Sequence, residues 1–136
     1  MSQILLIIGA GIFGLLGALH LIYTFFTPKF DSHDPAIKAA MKGGSPRITR
    51  ETTMWKAWIG FNASHSLGAM LFAGIYIPLA LNHMEVIIGS SWFTLLPLLT
   101  GLSYLWLARK YWFKIPLIGI LISTLCFAGA AVMIFQ

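Results

Sequence analysis

Carboxylates are the scarcest chemistry in this chain. Its 136 residues contain only four Asp and Glu, and charged residues of both signs make up 10%. A water-facing domain carries about 25% charged residues, so there is too little charge here to cover a surface in water. The solvent implied for most of the chain is lipid. Cysteine is nearly absent as well. Cys126 stands alone inside an apolar run, which excludes an internal disulfide and a cysteine-based metal cluster and leaves the redox compartment unread. No basic stretch precedes the first apolar run and no small-residue cleavage site follows it. That run is also too long for a signal peptide, so it reads as a retained first helix. Internal repeats, low-complexity tracts and linkers are missing too, which leaves one domain.

What is present is apolar sequence, 58% of the chain, gathered into four segments at 4–26, 55–81, 86–107 and 115–135. Each is about 20 residues or longer, the length that crosses roughly 30 Å of hydrocarbon at about 1.5 Å per residue. None holds Asp, Glu, Lys or Arg except for Lys56 at the edge of the second. Backbone groups in lipid must pair within their own segment, so all four are expected to be helices. The expected fold is all-α: a polytopic membrane protein, one transmembrane domain over 1–136, built as a four-transmembrane-helix bundle with a loop at 27–54.

The basic residues orient it. Lys29, Lys38, Lys42, Arg47, Arg50 and Lys56 fall in or beside the 27–54 loop, and Arg109, Lys110 and Lys114 lie between the third and fourth segments. These are all nine, and they share one side. An excess of Lys and Arg marks the cytoplasmic face, which places both termini outside. The net charge of +5 is therefore a matter of topology and does not call for nucleic acid. Trp55, Trp58, Trp106, Tyr111 and Trp112 cluster near the same boundary, where amphipathic rings prefer to sit. Within the loop, Asp34-Pro35 reads as an N-cap with proline in the first helical position. The short helix it opens runs to about Lys42, stops at Gly43-Gly44, and lies on the membrane surface. Ser45-Pro46 reads as a second cap.

Two motifs attract attention and fail on context. Gly9-Ala10-Gly11-Ile12-Phe13-Gly14 matches the dinucleotide fingerprint, with Asp31 at the ribose-binding distance. The fingerprint needs a βαβ unit in a doubly wound sheet, and the rest of the chain offers spanning segments instead. Closely spaced glycines also let membrane helices approach one another. Asn62-Ala63-Ser64 matches a glycosylation sequon but lies inside the second segment, beyond reach. Leu102-Ser103-Tyr104 with Arg109 fits a loose cholesterol-contact pattern, a weak signal.

The informative set is polar and intramembrane. At 100° per residue, one face of the first helix carries Ala10, Gly14, Gly17, His20 and Thr24. One face of the second carries Trp58, Asn62, His65, Ser66 and Ala69. Thr100, Ser103, Tyr104 and Leu107 share a face of the third, and Gly119, Ser123, Cys126 and Ala130 a face of the fourth. Four small-and-polar stripes are expected to face inward, with the polar groups in the cytoplasmic half and the outer half almost wholly apolar.

Three readings of this set stand side by side. The polar groups hydrogen-bond between helices as structural glue, at around 0.6 kcal/mol each. Alternatively, His20, Asn62, His65, Ser66, Thr100, Ser103, Tyr104 and Ser123 line a pocket for an amphiphilic ligand such as a lipid or a quinone. In the third, His20 and His65 on separate helices ligate a b-type haem, or serve lipid chemistry. Catalysis is poorly supplied. There is no intramembrane carboxylate, Ser64 and Ser66 adjoin His65 in sequence and do not face it on a helix, and a Tyr104–His65 acid–base pair needs the bundle to bring them together. The expected role is a non-catalytic ligand-binding or accessory subunit of a membrane complex, with membrane lipids, a membrane protein partner or a second copy as partners and no resident cofactor specified. His33 and His83 fall in loops and read as solvated.

The segment Met54-Trp55-Lys56-Ala57-Trp58-Ile59-Gly60-Phe61-Asn62-Ala63-Ser64-His65-Ser66-Leu67-Gly68 resembles a family of short, uncharacterised bacterial four-helix integral membrane proteins. Thr27-Pro28-Lys29-Phe30 and Ala108-Arg109-Lys110-Tyr111-Trp112-Phe113 share the likeness. The resemblance covers most of the chain, carries no activity, and implies a bacterial cytoplasmic membrane.

Overall fold

The computed structural model describes every residue of the chain, Met1–Gln136. It is all-helical, with α1 (Ser2–Phe26), α2 (Pro35–Gly43), α3 (Met54–Asn82), α4 (Met84–Ile88), α5 (Ser91–Tyr111) and α6 (Lys114–Phe135), and a 3-10 turn at Pro28–Phe30. Four of these, α1, α3, α5 and α6, are long and apolar enough to cross a membrane. The ends of α1, α3 and α6 fall within two residues of the apolar segments.

The third segment differs. Its apolar run begins near residue 86, but the helix that follows begins at Ser91, after the separate five-residue α4. Gly89-Ser90 makes the break: glycine is a poor helix interior, and Ser90 is extended at the N-cap of α5, without a side-chain capping bond. Counting apolar residues passes over both. Thr94 closes the gap from the far side, its buried hydroxyl donating to the Ile87 carbonyl at 2.7 Å. At its other end α5 runs on to Tyr111.

Local chemistry shapes the 27–53 stretch. The Asp34 carboxylate accepts from the Ala36 amide at 2.8 Å, with Pro35 as the first residue of α2. Ser45 does not cap α3. The chain instead turns at Pro46–Thr49, and the Thr53 hydroxyl accepts from the Lys56 amide at 3.2 Å as α3 begins. Proline within α3 (Pro78) and α5 (Pro97) is accommodated without ending either helix.

The chain divides into two compact units, one of Met1–Leu16 with Ala69–Gln136, the other of Gly17–Gly68. In the first, Phe13 is the centre of the core at 1% exposure. Its ring meets Phe72 at 5.3 Å, Tyr104 at 5.2 Å and Phe127 at 5.9 Å between centroids. Tilted and edge-on aromatic pairs of this kind add about 0.5–1.5 kcal/mol beyond their burial. Leu6, Ala10, Tyr76, Ala80, Ile87, Ile120 and Ala130 complete this core.

The fingerprint glycines find their reason here. A Cβ on Gly9 would strike the Phe127 ring, and one on Gly14 would lie 2.8 Å from the Ala73 Cβ, whereas Gly11 faces open space. Gly9 and Gly14 are points of close helix approach. The Ser123 hydroxyl, fully buried, donates to the Gly9 carbonyl at 3.1 Å and ties α6 to α1 at the same place.

Candidate functional site

The second unit holds a polar cluster. His20, on α1, and Asn62, on α3, meet with Nε2 and Oδ1 2.9 Å apart. The Asn62 Nδ2 donates one turn back to the Trp58 carbonyl at 2.8 Å. With the amide oriented in this way, Oδ1 is the atom that faces His20, so Nε2 carries the hydrogen and donates it. His65 stands one turn further along α3. Its ring meets that of His20 edge to face, 5.3 Å between centroids at 73°.

The chain beyond α1 closes over this pair. Phe30, at the end of the 3-10 turn, packs its ring on His20 with centroids 4.4 Å apart. The Trp58 indole Nε1 donates to the Phe30 carbonyl at 3.3 Å and fixes the turn in place. Thr24 and Ser66, both buried, return their hydroxyls to the His20 and Asn62 carbonyls at 2.8 Å. Such one-turn-back bonds satisfy a hydroxyl within its own helix. No buried side-chain nitrogen or oxygen in the chain lacks a hydrogen-bond partner.

The other expected site residues lie in the first unit, each engaged there. Tyr104 packs on Phe13 and, at 6.1 Å, on Trp112. Ser123 bonds to Gly9 as described, and Thr100 is half-buried. Ser103 does not face inward. Its side is exposed and its hydroxyl donates to the Leu99 carbonyl at 2.8 Å. The buried face of α5 is Thr94, Pro97, Gly101 and Ala108, about a third to a half of a turn around the helix from Ser103. Ser103 instead lines an open groove with Leu102, Trp106 and Leu107.

Polar groups are not confined to one end of the long helices, as the sequence reading expects. Gln3 donates to the Ala80 carbonyl at 2.7 Å, and the Tyr76 hydroxyl to the Phe93 carbonyl at 3.2 Å. Sequence reasoning places Trp58 on the face of Asn62 and His65 but passes over Phe30, whose carbonyl Trp58 holds, and Thr94 at the α4–α5 break. For Phe30 a signal exists, since Thr27-Pro28 announces a turn that reverses the chain.

The contacts that the cluster makes are hydrogen bonds and aromatic packing. Bis-histidine haem ligation asks two imidazole nitrogens to face one iron across a flat macrocycle. Here the rings touch edge to face, and the Nε2 hydrogen of His20 is already given to Asn62, so a haem would have to dismantle the cluster. No three His, Cys, Asp or Glu side chains gather where they could hold a metal ion. Comparison with protein-family models, with curated proteins and with solved structures finds no match to this chain.

Proposed function

We propose that this chain is an integral protein of a bacterial cytoplasmic membrane, with four spanning helices, both termini outside and the 27–53 segment inside. It works as a non-catalytic accessory or ligand-binding subunit of a membrane complex. The helices of spanning length support the first part. The placement of the nine Lys and Arg supports the orientation: they fall between α1 and α3 and in the first turn of α3, or in the last turn of α5 and at the first residue of α6. α2, with its N-cap and its flanking lysines, lies on the cytoplasmic surface.

The observation that carries the role is the His20–Asn62–His65 cluster. It is a preformed group in which His20 is hydrogen-bonded to Asn62 and His65 packs on the His20 ring, with no carboxylate among them. That suits the docking of a polar headgroup, of a lipid or a quinone, or of a partner helix. Intramembrane polar groups at a defined depth are costly unless paired or used.

The test has two parts. Single cysteines introduced at residues 2, 43, 82 and 136 in a Cys126→Ala background are labelled in intact cells. Only position 43 is expected to be protected, and protection of residue 136 refutes the orientation. Protein extracted in mild detergent is then examined by native mass spectrometry and optical spectroscopy. A copurifying partner, lipid or quinone is expected. A Soret band lost in both His20→Ala and His65→Ala would overturn the accessory role in favour of haem.

A further inference from the structure

We propose that the patch made by α2 and the start of α3 holds the headgroup of one anionic phospholipid, with Lys38 and Lys42 on its phosphate. The proposal rests on the membrane reading above; its groove shares Phe30 and Trp58 with the cover of the histidine cluster and uses neither histidine.

Lys38 and Lys42 stand one turn apart on α2, so they share a face. Both ammonium groups lie over the Trp55 ring, at 4.6 and 6.0 Å from its centroid. Beside them is an open groove of about 240 Å³, walled by Phe30, Met41, Trp55 and Trp58, with Asp31 and Ser32 at its polar lip. Cationic groups and apolar aromatic walls thus meet at a single edge.

The charges do not balance within the protein. Residues 27–58 hold six cations, Lys29, Lys38, Lys42, Arg47, Arg50 and Lys56, against Asp31, Asp34 and Glu51. Lys38 pairs with Asp31, and the only other ion pair in the chain is the distant His83–Glu85. Asp34 is engaged in capping α2. Lys42 is left with a π face and no carboxylate, and a ring face is a weaker partner than an anion. A phosphate diester between Lys38 and Lys42 completes the set.

The rest of the groove selects a lipid over a soluble phosphate. Its walls are apolar and aromatic, suited to a glycerol backbone and the first methylenes of an acyl chain. Tryptophan at the headgroup level is the usual anchor of a membrane protein. Further along α3, Phe61 is 79% exposed and continues the apolar track. Basic residues at the cytoplasmic surface favour anionic lipid, and each contributes about a fivefold preference.

The experiment uses the full chain in detergent micelles, titrated with phosphatidylglycerol or phosphatidylcholine of identical acyl chains and read by native mass spectrometry. One phosphatidylglycerol is expected to bind in preference to phosphatidylcholine by about tenfold or more. Lys42→Gln is expected to lower that preference about fivefold, and Lys110→Gln, in the last turn of α5, to leave it unchanged. Inorganic phosphate at millimolar concentration is expected not to displace the lipid. Equal affinity for the two lipids, an equal effect of Lys42→Gln and Lys110→Gln, or displacement by free phosphate each overturns the proposal. A chain that does not fractionate with membranes defeats the membrane reading. One that does, yet shows no lipid preference, defeats this inference alone.

Discussion

Gly101 offers a stringent test of how the helices of the first unit pack. A Cβ built on it would lie 2.8 Å from the Thr124 Oγ1, 3.2 Å from the Thr124 Cα and 3.3 Å from a ring carbon of Phe127. The hydroxyl is not free to turn aside, because it is buried and donates to the Ile120 carbonyl at 2.7 Å. The Cα belongs to the backbone of α6 and cannot yield alone, and Phe127 is wedged in the core at 1% exposure. Gly101→Ala must therefore push α5 and α6 apart by several tenths of an ångström. Overpacking of this kind costs about 1–3 kcal/mol, and the better helix propensity of alanine returns at most about 1 kcal/mol. The expected net loss is up to about 2 kcal/mol, or about 1–3 kcal/mol relative to a glycine-to-alanine change that meets no neighbour.

Gly11 and Gly74 supply the internal control, because a Cβ at either meets nothing within 4 Å. Gly11→Ala and Gly74→Ala are expected to be neutral or slightly stabilising. The measurement is reversible unfolding in mixed micelles, driven by SDS and followed by far-ultraviolet circular dichroism. If Gly101→Ala proves as stable as Gly11→Ala, the α5–α6 contact described here is wrong.

Two other substitutions probe polar contacts. Thr94→Val leaves the Ile87 carbonyl without the 2.7 Å bond that spans the α4–α5 break; it is expected to destabilise by about 1–3 kcal/mol and to speed amide exchange at residues 84–90, and unchanged exchange there would show the bond to be dispensable. A double-mutant cycle of His20→Ala and Asn62→Leu is expected to give a coupling of about 0.6 kcal/mol, at most about 1.7, and additivity of the two changes would mean that the 2.9 Å contact is energetically idle.

Features set by a few neighbouring residues were legible without coordinates. Asp34-Pro35 announces α2 because capping is a bond across two residues, and the carboxylate makes it. The spacing of Asn62 and His65 places them on one face of α3, and the ring of His65 does reach His20 from that face. The glycine fingerprint is rightly set aside, since Gly9 and Gly14 serve helix approach. Ser103 misleads for a physical reason. A serine that bonds to the carbonyl one turn back carries its own partner, so it can face outward without leaving a polar group unpaired. A polar residue on a membrane helix therefore does not mark the inner face unless its bond leaves the helix, and that cannot be read from spacing.

The same reasoning explains why the cluster's roof was hidden while its floor was not. In water, an amphipathic helix shows its inner face by hydrophobicity. In α1 and α6 nearly every position is apolar, so that signal is flat and only size and polarity remain. Small residues then report where another helix comes close, as Gly9, Gly14 and Gly101 do. Large ones report nothing until the chain is folded. Phe13 is fully buried and Phe61 is 79% exposed, though the two differ in no property a sequence displays. Phe30 belongs to the same class. What seats it on His20 is the indole bond from Trp58, 28 residues away, and the turn that begins at Thr27, whose hydroxyl accepts from the Lys29 amide at 3.3 Å. The polar residues of the cluster could be named in advance because they interrupt long apolar runs. Their aromatic cover could not, because an aromatic ring is equally at home against lipid, against protein, or at the boundary between membrane and water.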